Sequence, residues 1–222
     1  MILAMDTSTR SVGIALYDGF QVLFESTWTS KDYHTVELAP AVHDALLKTG
    51  KTIQNIKAIA VAIGPGSFTG LRIGLALAKG IALVRRLPIV GIPTLDVLAT
   101  AQPVQDIPMI ALLRAGRGRL AICHYQATSE GWRSLQDIQI TNAQALADST
   151  ESPTLVCGEL SEDDRTLLGK KRKIIFLASP AQSLRRVGYL AELGWKRWQS
   201  GQVDDPISLV PIYLHFAEPI PE

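Results

Sequence analysis

Residues 58–85 constrain the fold of this chain more than any other stretch, because they combine a short strand, a glycine loop and a long apolar helix. Residues 58–63 are a continuous run of small and β-branched apolar side chains, which is typical of a strand buried on both faces. The loop Gly64–Gly70 follows, and residues 71 to about 85 have the apolar spacing of a helix. The chain must therefore place this strand inside a sheet that is covered on both sides.

The remaining strands and helices are predicted in the same order in two halves of the chain. In the first half, residues 2–5, 11–17 and 21–29 form a meander of strands, residues 35–48 a helix, residues 89–92 a strand, and Thr94 caps a short helix. In the second half, strands are predicted at residues 107–113, 120–126, 132–140, 154–157 and 174–177. The last helix is predicted to start at the N-cap Ser179, with Pro180 and Gln182 behind it. This order predicts two lobes, residues 1–104 and residues 105–222, with a tail that can pack back on the first lobe.

Composition places the chain among ordinary globular proteins. Its 222 residues include 22 Lys and Arg against 21 Asp and Glu, which leaves a net charge of +1. A balance this close to zero excludes a surface that attracts nucleic acid or membranes everywhere, so any RNA contact must be local. The sequence has no signal-peptide pattern, no disulfide framework from Cys123 and Cys157, and no apolar stretch long enough to cross a bilayer. We expect a cytoplasmic protein without a membrane segment.

Two polar loops are candidates for facing an anion or a nucleotide. Glycines let a backbone approach a ligand and direct N–H groups at it, and a carboxylate with hydroxyls after the first strand can hold phosphate or a hydrated cation. The predicted residues are Asp6, Thr7, Ser8, Thr9, Gly64, Gly66, Ser67, Thr69 and Gly70. The alternative is structural, a tight strand-to-helix turn and an Asx turn, because neither loop has Walker A or G-x-G-x-x-G spacing. We also expect a positive φ at Gly66, which would exclude a β-branched residue there.

No residue is predicted to be catalytic. Ser67 is not surrounded by the G-x-S-x-G pattern of a nucleophile, and no His or Asp lies at a suggestive spacing from it. The four histidines, His34, His43, His124 and His215, form neither H-E-x-x-H nor H-x-x-x-H pairs. We therefore expect no metal site.

The helix at residues 71–84 is apolar almost all round, so it is either internal or covered by a partner. Gly70, Gly74, Ala78 and Ala82 form a ladder of small residues that allows another helix to approach closely. We predict a partner-binding surface on this helix and the preceding one, with a core position as the alternative. The predicted surface comprises Leu38, Val42, Leu46, Leu71, Arg72, Gly74, Leu75 and Ala78.

Basic residues are concentrated at three places in the sequence. They are Arg114, Arg117 and Arg119, then residues 170–173, then Arg185 and Arg186. No aromatic residues alternate with them, so they are interpreted as solvated surface and not as RNA platforms of their own.

Three segments of the chain resemble a known family. They are residues 2–9, 64–74 and 87–95, and a fourth short match is Pro211-Ile212-Tyr213-Leu214. The first lobe resembles the bacterial TsaB family, also called YeaZ, and the rest of the chain does so loosely. The resemblance implies a two-lobed α/β fold of the actin/Hsp70-like (ASKHA, ribonuclease H-like) class, with a mixed sheet and helices in each lobe.

The resemblance also implies a function. It implies a non-catalytic scaffold subunit that binds TsaD through its first lobe and pairs with itself when alone. With TsaE, a small ATPase, TsaD and its partner install threonylcarbamoyl on the adenosine next to the anticodon of ANN-decoding tRNAs. The tRNA is the substrate of the complex, the complex uses ATP, and this chain is expected to need no cofactor of its own.

Two departures bear on the activity. The catalytic relative TsaD holds its metal with an H-x-x-x-H pair, and Thr94 and Leu98 stand at the matching positions here, where leucine cannot bind a metal. The family pattern Asp-Ala-Arg-x-Gly-Glu is replaced by residues 114–119, RAGRGR, which leaves any role of that strand open. The rival function is an ATP-binding phosphotransferase or ATPase of the same fold, with residues 6–9 gripping the phosphates. A peptidase is a third reading, and the sequence offers it neither metal ligands nor a nucleophile.

Overall fold

The computed structural model describes residues 1–31 and 34–214. The chain divides into two compact units, of which the first comprises Met1–Val97 and Arg185–Pro211. The second comprises Leu98–Leu184 with the described residues from Ile212 onward. The boundary thus lies seven residues before the expected one at residue 104, and the last helix returns to the first unit.

The described part of the first unit contains a five-stranded mixed sheet. Its strands are β1 (Ile2–Asp6), β2 (Ser11–Tyr17), β3 (Val22–Thr29), β4 (Ala58–Gly64) and β5 (Ile89–Pro93). The first three form the predicted antiparallel meander, and β4 and β5 extend it in parallel in the order β3-β2-β1-β4-β5. Met5 of β1 lies opposite Ile14 of β2 and Val61 of β4. Strand β4 is buried on both faces, as its apolar run predicts.

The described part of the second unit contains a six-stranded mixed sheet. Its strands are β6 (Met109–Arg114), β7 (Arg119–Thr128), β8 (Gly131–Ser134), β9 (Gln139–Asn142), β10 (Thr154–Gly158) and β11 (Ile175–Leu177). The order is β11-β10-β6-β7-β8, and β9 also pairs with β7. The single strand predicted at residues 132–140 is wrong, because this segment forms two strands that pair with different parts of β7.

The helices α1 (His34–Lys48), α2 (Phe68–Arg85) and α3 (Thr94–Thr100) follow the predicted pattern, and α2 begins three residues earlier than expected. Helices α4 (Ala143–Ser149) and α5 (Glu162–Gly169) were not predicted. Their N-termini are capped by Asn142 and by a capping box between Ser161 and Asp164. Within the described ranges, no helix is both long enough and apolar enough to cross a membrane.

The two faces of the first sheet differ in the size of their side chains. Large residues such as Leu3 and Val61 belong to the core that α1 and α2 cover. The opposite face carries small residues such as Ala58 and Ala60, under helix α6 (Val187–Gln199). A Cβ added at Gly194 of α6 would lie 2.4 Å from the Cβ of Ala60, so small residues on both sides are needed for the helix to pack this closely on the sheet.

The last helix begins later than the sequence predicts. Ser179 and Gln182 do form the reciprocal hydrogen bonds of a capping box, at 3.1 and 3.2 Å, but they close only one turn. Helix α6 starts at Val187 with Arg186 as its N-cap. The non-helical residues between the turn and α6 carry Arg185 into the first unit.

Candidate functional site

The two predicted anion-facing loops lie against each other at one edge of the first sheet. Strands β1 and β4 are parallel neighbours, so the turn of residues 6–9 and the glycine loop follow their carboxyl ends side by side. The backbone N–H of Ser67 donates to the carbonyl oxygen of Ser8 at 2.6 Å. The hydroxyl of Ser67 accepts from the N–H of Gly70 at 3.2 Å and caps α2. Ser67 therefore uses both its backbone and its side chain for internal bonds.

The spacing of the glycines is explained by the turn of residues 6–9, which packs directly against them. A Cβ at Gly66 would lie 2.2 Å from the carbonyl oxygen of Ser8, and one at Gly70 would lie 2.2 Å from that of Thr7. A Cβ at Gly74 would lie 2.2 Å from Oγ1 of Thr7, a hydroxyl that donates to the carbonyl of Gly70 at 2.7 Å. The expected positive φ at Gly66 is wrong; the glycine is needed for space and not for its backbone angle.

Thr94 joins the two loops to the end of the third parallel strand. It is the first residue of α3, directly after β5, and not its N-cap as the sequence predicts. Its Oγ1 accepts from the N–H of Gly64 at 3.1 Å and shares a hydrogen bond with Oγ of Ser8 at 2.8 Å. The position at which the resemblance implies a metal ligand in the catalytic relative is here a hydrogen-bonded link inside the first unit.

Arg185 is the residue of this site that sequence reasoning missed. Its Nε donates to Oδ2 of Asp6 at 2.9 Å, and both side chains are about 98% buried or more. Its Nη2 donates to Oγ1 of Thr9 at 2.7 Å and to the carbonyl of Ser11 at 2.9 Å. The other Asp6 oxygen accepts from the N–H of Ser8 at 2.8 Å. No local signal marks this pair, because its members lie 179 positions apart in the sequence. The interpretation of the run Arg185-Arg186 as solvated surface is wrong for Arg185, which is 2% exposed.

The polar groups of the turn are consequently used up inside the protein. Asp6, Thr7 and Ser8 are at most 1% exposed, and each has the internal partners described above. Of the predicted anion-facing residues, only Ser67 and Thr69 are exposed, at the start of α2. The geometry favours the structural reading of both loops, in which they fasten β1, β4 and β5 to α2.

The predicted partner surface needs a correction. Leu38, Val42 and Leu46 of α1 are buried, and so are the residues predicted on α2, with the exception of Arg72. The small-residue ladder packs against the protein's own turn and sheet and not against a second helix from outside. Any partner surface on these two helices must use their opposite faces.

Those opposite faces are exposed and largely apolar. On α1, Val36 and Leu47 are 65% and 64% exposed, and on α2, Leu83 and Val84 are 78% and 82% exposed. Ala39 of α1, three residues after Val36, is also exposed, as are Ala76 and Gly80 of α2, which precede Val84 at successive spacings of four. We call these seven residues the α1–α2 outer face. Exposed apolar residues at such spacing mark a contact surface when they are contiguous.

The arginine-rich segment of the second unit forms the turn between β6 and β7. Gly116, Arg117 and Gly118 all have a positive φ, from 52° to 74°, and the N–H of Ala115 donates to the carbonyl of Arg119 at 2.8 Å. A cavity of about 280 Å³ lies beside the turn, lined by Arg114, Gly116, Gly118, Arg119, Leu120, Ser161, Asp163 and Asp164. Two arginines and two aspartates line this cavity, so its charge is balanced.

Residues with metal-binding side chains do not gather at the site. In residues 1–31 and 34–214, no group of three or more His, Cys, Asp and Glu is arranged to hold a metal ion, and His215 lies outside the described residues. Leu98 is fully buried. Burial raises the pKa of the Cys157 thiol to about 12, so this side chain stays protonated at neutral pH.

Comparison with known families connects this arrangement to tRNA modification. Residues 21–174 match the model of the family described as TsaD, tRNA N6-adenosine threonylcarbamoyltransferase. The tRNA threonylcarbamoyladenosine biosynthesis protein TsaB of Bacillus subtilis is 32% identical over 227 residues, which cover 98% of this chain and 95% of that protein.

Comparison with solved structures establishes the fold. YeaZ from Pseudomonas aeruginosa aligns with a TM-score of 0.78 at 24% identity and covers 96% of this chain and 99% of that one. A ROK hexokinase from Thermus thermophilus aligns with a TM-score of 0.53 at 9% identity, over 89% of this chain and 99% of that one. The α/β fold with a mixed sheet and helices in each of two lobes is therefore confirmed as the actin-like, sugar-kinase-like class.

Proposed function

Because the chain belongs to the TsaB (YeaZ) family of tRNA threonylcarbamoyladenosine biosynthesis proteins, we propose that it is the non-catalytic scaffold subunit of the threonylcarbamoyltransferase complex and binds TsaD. The observation that carries this proposal is the closed turn of residues 6–9. A carboxylate and hydroxyls at the carboxyl ends of β1 and β4 could hold a phosphate or a cation. Here Arg185 and the glycine loop take that place.

The same observation argues against the rival ATPase. A phosphate bound at Asp6 would need its oxygens within about 3 Å of groups that are already hydrogen-bonded and at most 1% exposed. Opening the turn would break the Asp6–Arg185 pair, and an unpaired buried charge costs about 3–5 kcal/mol. The chain is proposed to use no cofactor of its own, while the complex uses ATP.

The α1–α2 outer face is the proposed TsaD-binding surface. Its large apolar side chains, Val36, Leu47, Leu83 and Val84, are more than 60% exposed, so their burial by a partner would be favourable. Its small residues, Ala76 and Gly80, leave room for a partner helix to approach α2 closely. We propose the same face for self-association of the isolated chain, and propose that the complex works in the cytoplasm with TsaE and with tRNA as its substrate.

The proposal is tested by measuring the mass of the chain mixed with TsaD and the threonylcarbamoylation of tRNA after TsaE and ATP are added. Gly80→Glu is the informative variant, because an added Cβ meets no atom within 4 Å and a non-glycine residue favours the helix. We expect the variant to stay folded and to bind TsaD at least tenfold more weakly. Gly169→Glu is the matched control, since Gly169 ends α5 and its Cβ would also meet nothing within 4 Å.

Two outcomes would contradict the proposal. The first is a wild-type chain that forms no complex with TsaD. The second is ATP turnover by the purified chain alone that is abolished by Ser67→Ala, because a hydroxyl that only caps α2 contributes about 0.5–2 kcal/mol to stability and nothing to chemistry.

A further inference from the structure

Six basic residues from distant parts of the sequence lie at the edge of the first sheet where its parallel strands begin, with Lys196 on the face opposite α1 and α2. Strands β1, β4 and β5 start there, and α1, α2 and α6 end there. The six are Lys48, Lys51, Lys57, Arg85, Arg86 and Lys196, and we call them the basic edge. Within the described residues, none of the six forms an ion pair. All are exposed except Arg85, which is half-buried with an Nε that has no hydrogen-bond partner.

Specific contacts support this clustering. The backbone N–H of Lys57 donates to the carbonyl of Met1 at 2.8 Å. The pKa of the Met1 amino group is lowered, first by burial and then by Lys57 and Lys51, against the opposing effect of Asp18. The Nζ of Lys48 lies 5.9 Å from the centre of the Phe24 ring in β3.

Carboxylates do not neutralise this edge. Asp18, Glu192, Asp204 and Asp205 lie nearby, but Asp204 pairs with a seventh cation, Arg197, at 3.3 Å. Asp18 and Asp205 accept hydrogen bonds from backbone N–H groups of their own turns and keep their negative charge, but the seven cations outnumber these four carboxylates. Cations at helix ends also stabilise the helix dipoles, which explains Lys48, Arg85 and Lys196. Arg86 is the C-cap of α2, and the N–H of Lys51 donates to the carbonyl of Leu46 at the end of α1, so both belong to the helix ends. Lys57, in the loop before β4, has no such role.

An exposed aromatic side chain projects from the same edge. Phe20, in the turn between β2 and β3, is 96% exposed, although Asp18 holds the turn rigidly through the N–H groups of Phe20 and Gln21, both at 2.9 Å. The turn rests on α6, because a Cβ at Gly19 would lie 2.4 Å from the ring of Trp195. A phenylalanine ring that an ordered turn holds open to solvent is available for stacking on a partner.

From cations and an exposed ring at one edge, we infer that the basic edge and Phe20 bind RNA, with the cations on the phosphate backbone and the ring on an unpaired base. Lysine and arginine side chains neutralise phosphates, and aromatic rings stack on bases without sequence preference. The inference rests on the proposed function, since it names the part of this chain that would contact the tRNA held by the complex. The edge lies at the strand starts, away from the closed turn at the strand ends.

The test measures binding of an unmodified ANN-decoding tRNA transcript to the full chain, alone and in complex with TsaD, at several salt concentrations. The variant with Lys51→Glu, Lys57→Glu and Lys196→Glu should bind at least tenfold more weakly at 0.1 M salt. The slope of log affinity against log salt should fall by two to three, about 0.7–0.9 for each lost phosphate contact. The control with Lys170→Glu, Arg172→Glu and Lys173→Glu has the same change in charge and should bind within twofold of wild type.

Phe20→Ala separates stacking from charge. It should weaken tRNA binding about fivefold or more with an unchanged salt slope, because stacking releases no counterions. Phe176→Ala, at a ring that is 44% exposed in the second unit, is its control. The inference is overturned if both triple variants lose affinity equally, if neither does, or if the chain binds anionic vesicles and not tRNA. Failure of wild type to bind TsaD would instead overturn the proposed function, and TsaD binding is measured in the same samples.

Discussion

At the scale of single residues, the closed turn depends most on the ion pair between Asp6 and Arg185. Both side chains are nearly free of solvent, and the guanidinium also bonds Thr9 and Ser11. Removing the arginine leaves the Asp6 carboxylate buried without its partner, which costs about 3–5 kcal/mol. We therefore expect Arg185→Met to lower the free energy of unfolding by that amount, measured by chemical denaturation. Arg186→Met is the control, because Arg186 is 57% exposed and such a pair with Glu25 contributes at most about 1 kcal/mol.

A second change tests whether charge is the cause. In the double variant Asp6→Asn, Arg185→Met, no uncompensated charge is left, and part of the lost stability should return. Equal losses in the double variant and in Arg185→Met would mean that the arginine acts through packing alone.

Gly74 and Gly80 of α2 are two helical glycines with opposite surroundings. An added Cβ at Gly74 would lie 2.2 Å from Oγ1 of Thr7, which is held by the carbonyl of Gly70, whereas one at Gly80 meets nothing within 4 Å. Gly74→Ala should destabilise the protein by about 1–3 kcal/mol through overpacking. Gly80→Ala should stabilise it by about 0.5–1 kcal/mol through helix propensity. The measurement is the change in thermal unfolding temperature of each variant relative to wild type. A stabilising Gly74→Ala would show that the turn does not pack against the helix at this position.

At the scale of elements, the packing of α6 on the sheet depends on small residues on both sides. Gly194→Ala would place a Cβ 2.4 Å from the Cβ of Ala60, so the helix must shift or tilt. We expect a loss of about 1–3 kcal/mol from this overpacking. Adding Ala60→Gly to Gly194→Ala removes the clash, and the double variant should be more stable than Gly194→Ala measured under the same conditions. Additive losses would mean that α6 does not rest on Ala60.

Elements with a strong local pattern were predictable from the sequence, and elements decided by distant contacts were not. The run of β4 and the apolar spacing of α1 and α2 appear in the structure within a few residues of their predicted bounds. The start of α6 could not be predicted, because the capping box at Ser179 forms but the chain then leaves the helix to carry Arg185 to Asp6.

The candidate site shows the same division. The sequence located both loops and the small-residue ladder, since glycine spacing is a local signal. It could not tell which neighbour covers the ladder, because periodicity defines a face of a helix and not what packs on it. The basic edge was invisible for the same reason, since its six residues come from α1, α2 and α6 and from the segments that follow α1 and α2.

At the scale of the whole molecule, the two sheets have the same topology. Each consists of an antiparallel meander that two parallel strands extend, in the orders β3-β2-β1-β4-β5 and β8-β7-β6-β10-β11. Gly64 ends β4 and Gly158 ends β10, both with φ above 100°. The first strand of each unit ends differently, with Asp6 in β1 and Arg114 in β6. The repeated order of elements in the sequence therefore corresponds to a repeated fold whose polar ends have diverged.

The return of residues 185–211 to the first unit predicts how the chain can be divided. A fragment of residues 1–104 lacks α6 and Arg185, so it exposes the alanine-rich face of its sheet and leaves Asp6 buried without a cation. We expect no cooperative thermal unfolding from this fragment. A fusion of residues 1–97 to residues 185–211 through a flexible Gly/Ser linker contains both α6 and Arg185. This fusion should unfold cooperatively. The same fusion with Arg185→Met should lose much of that stability, because the buried Asp6 again has no partner. Cooperative unfolding of residues 1–104 alone, followed by circular dichroism, would show instead that α6 is an accessory of the first unit and not part of its core.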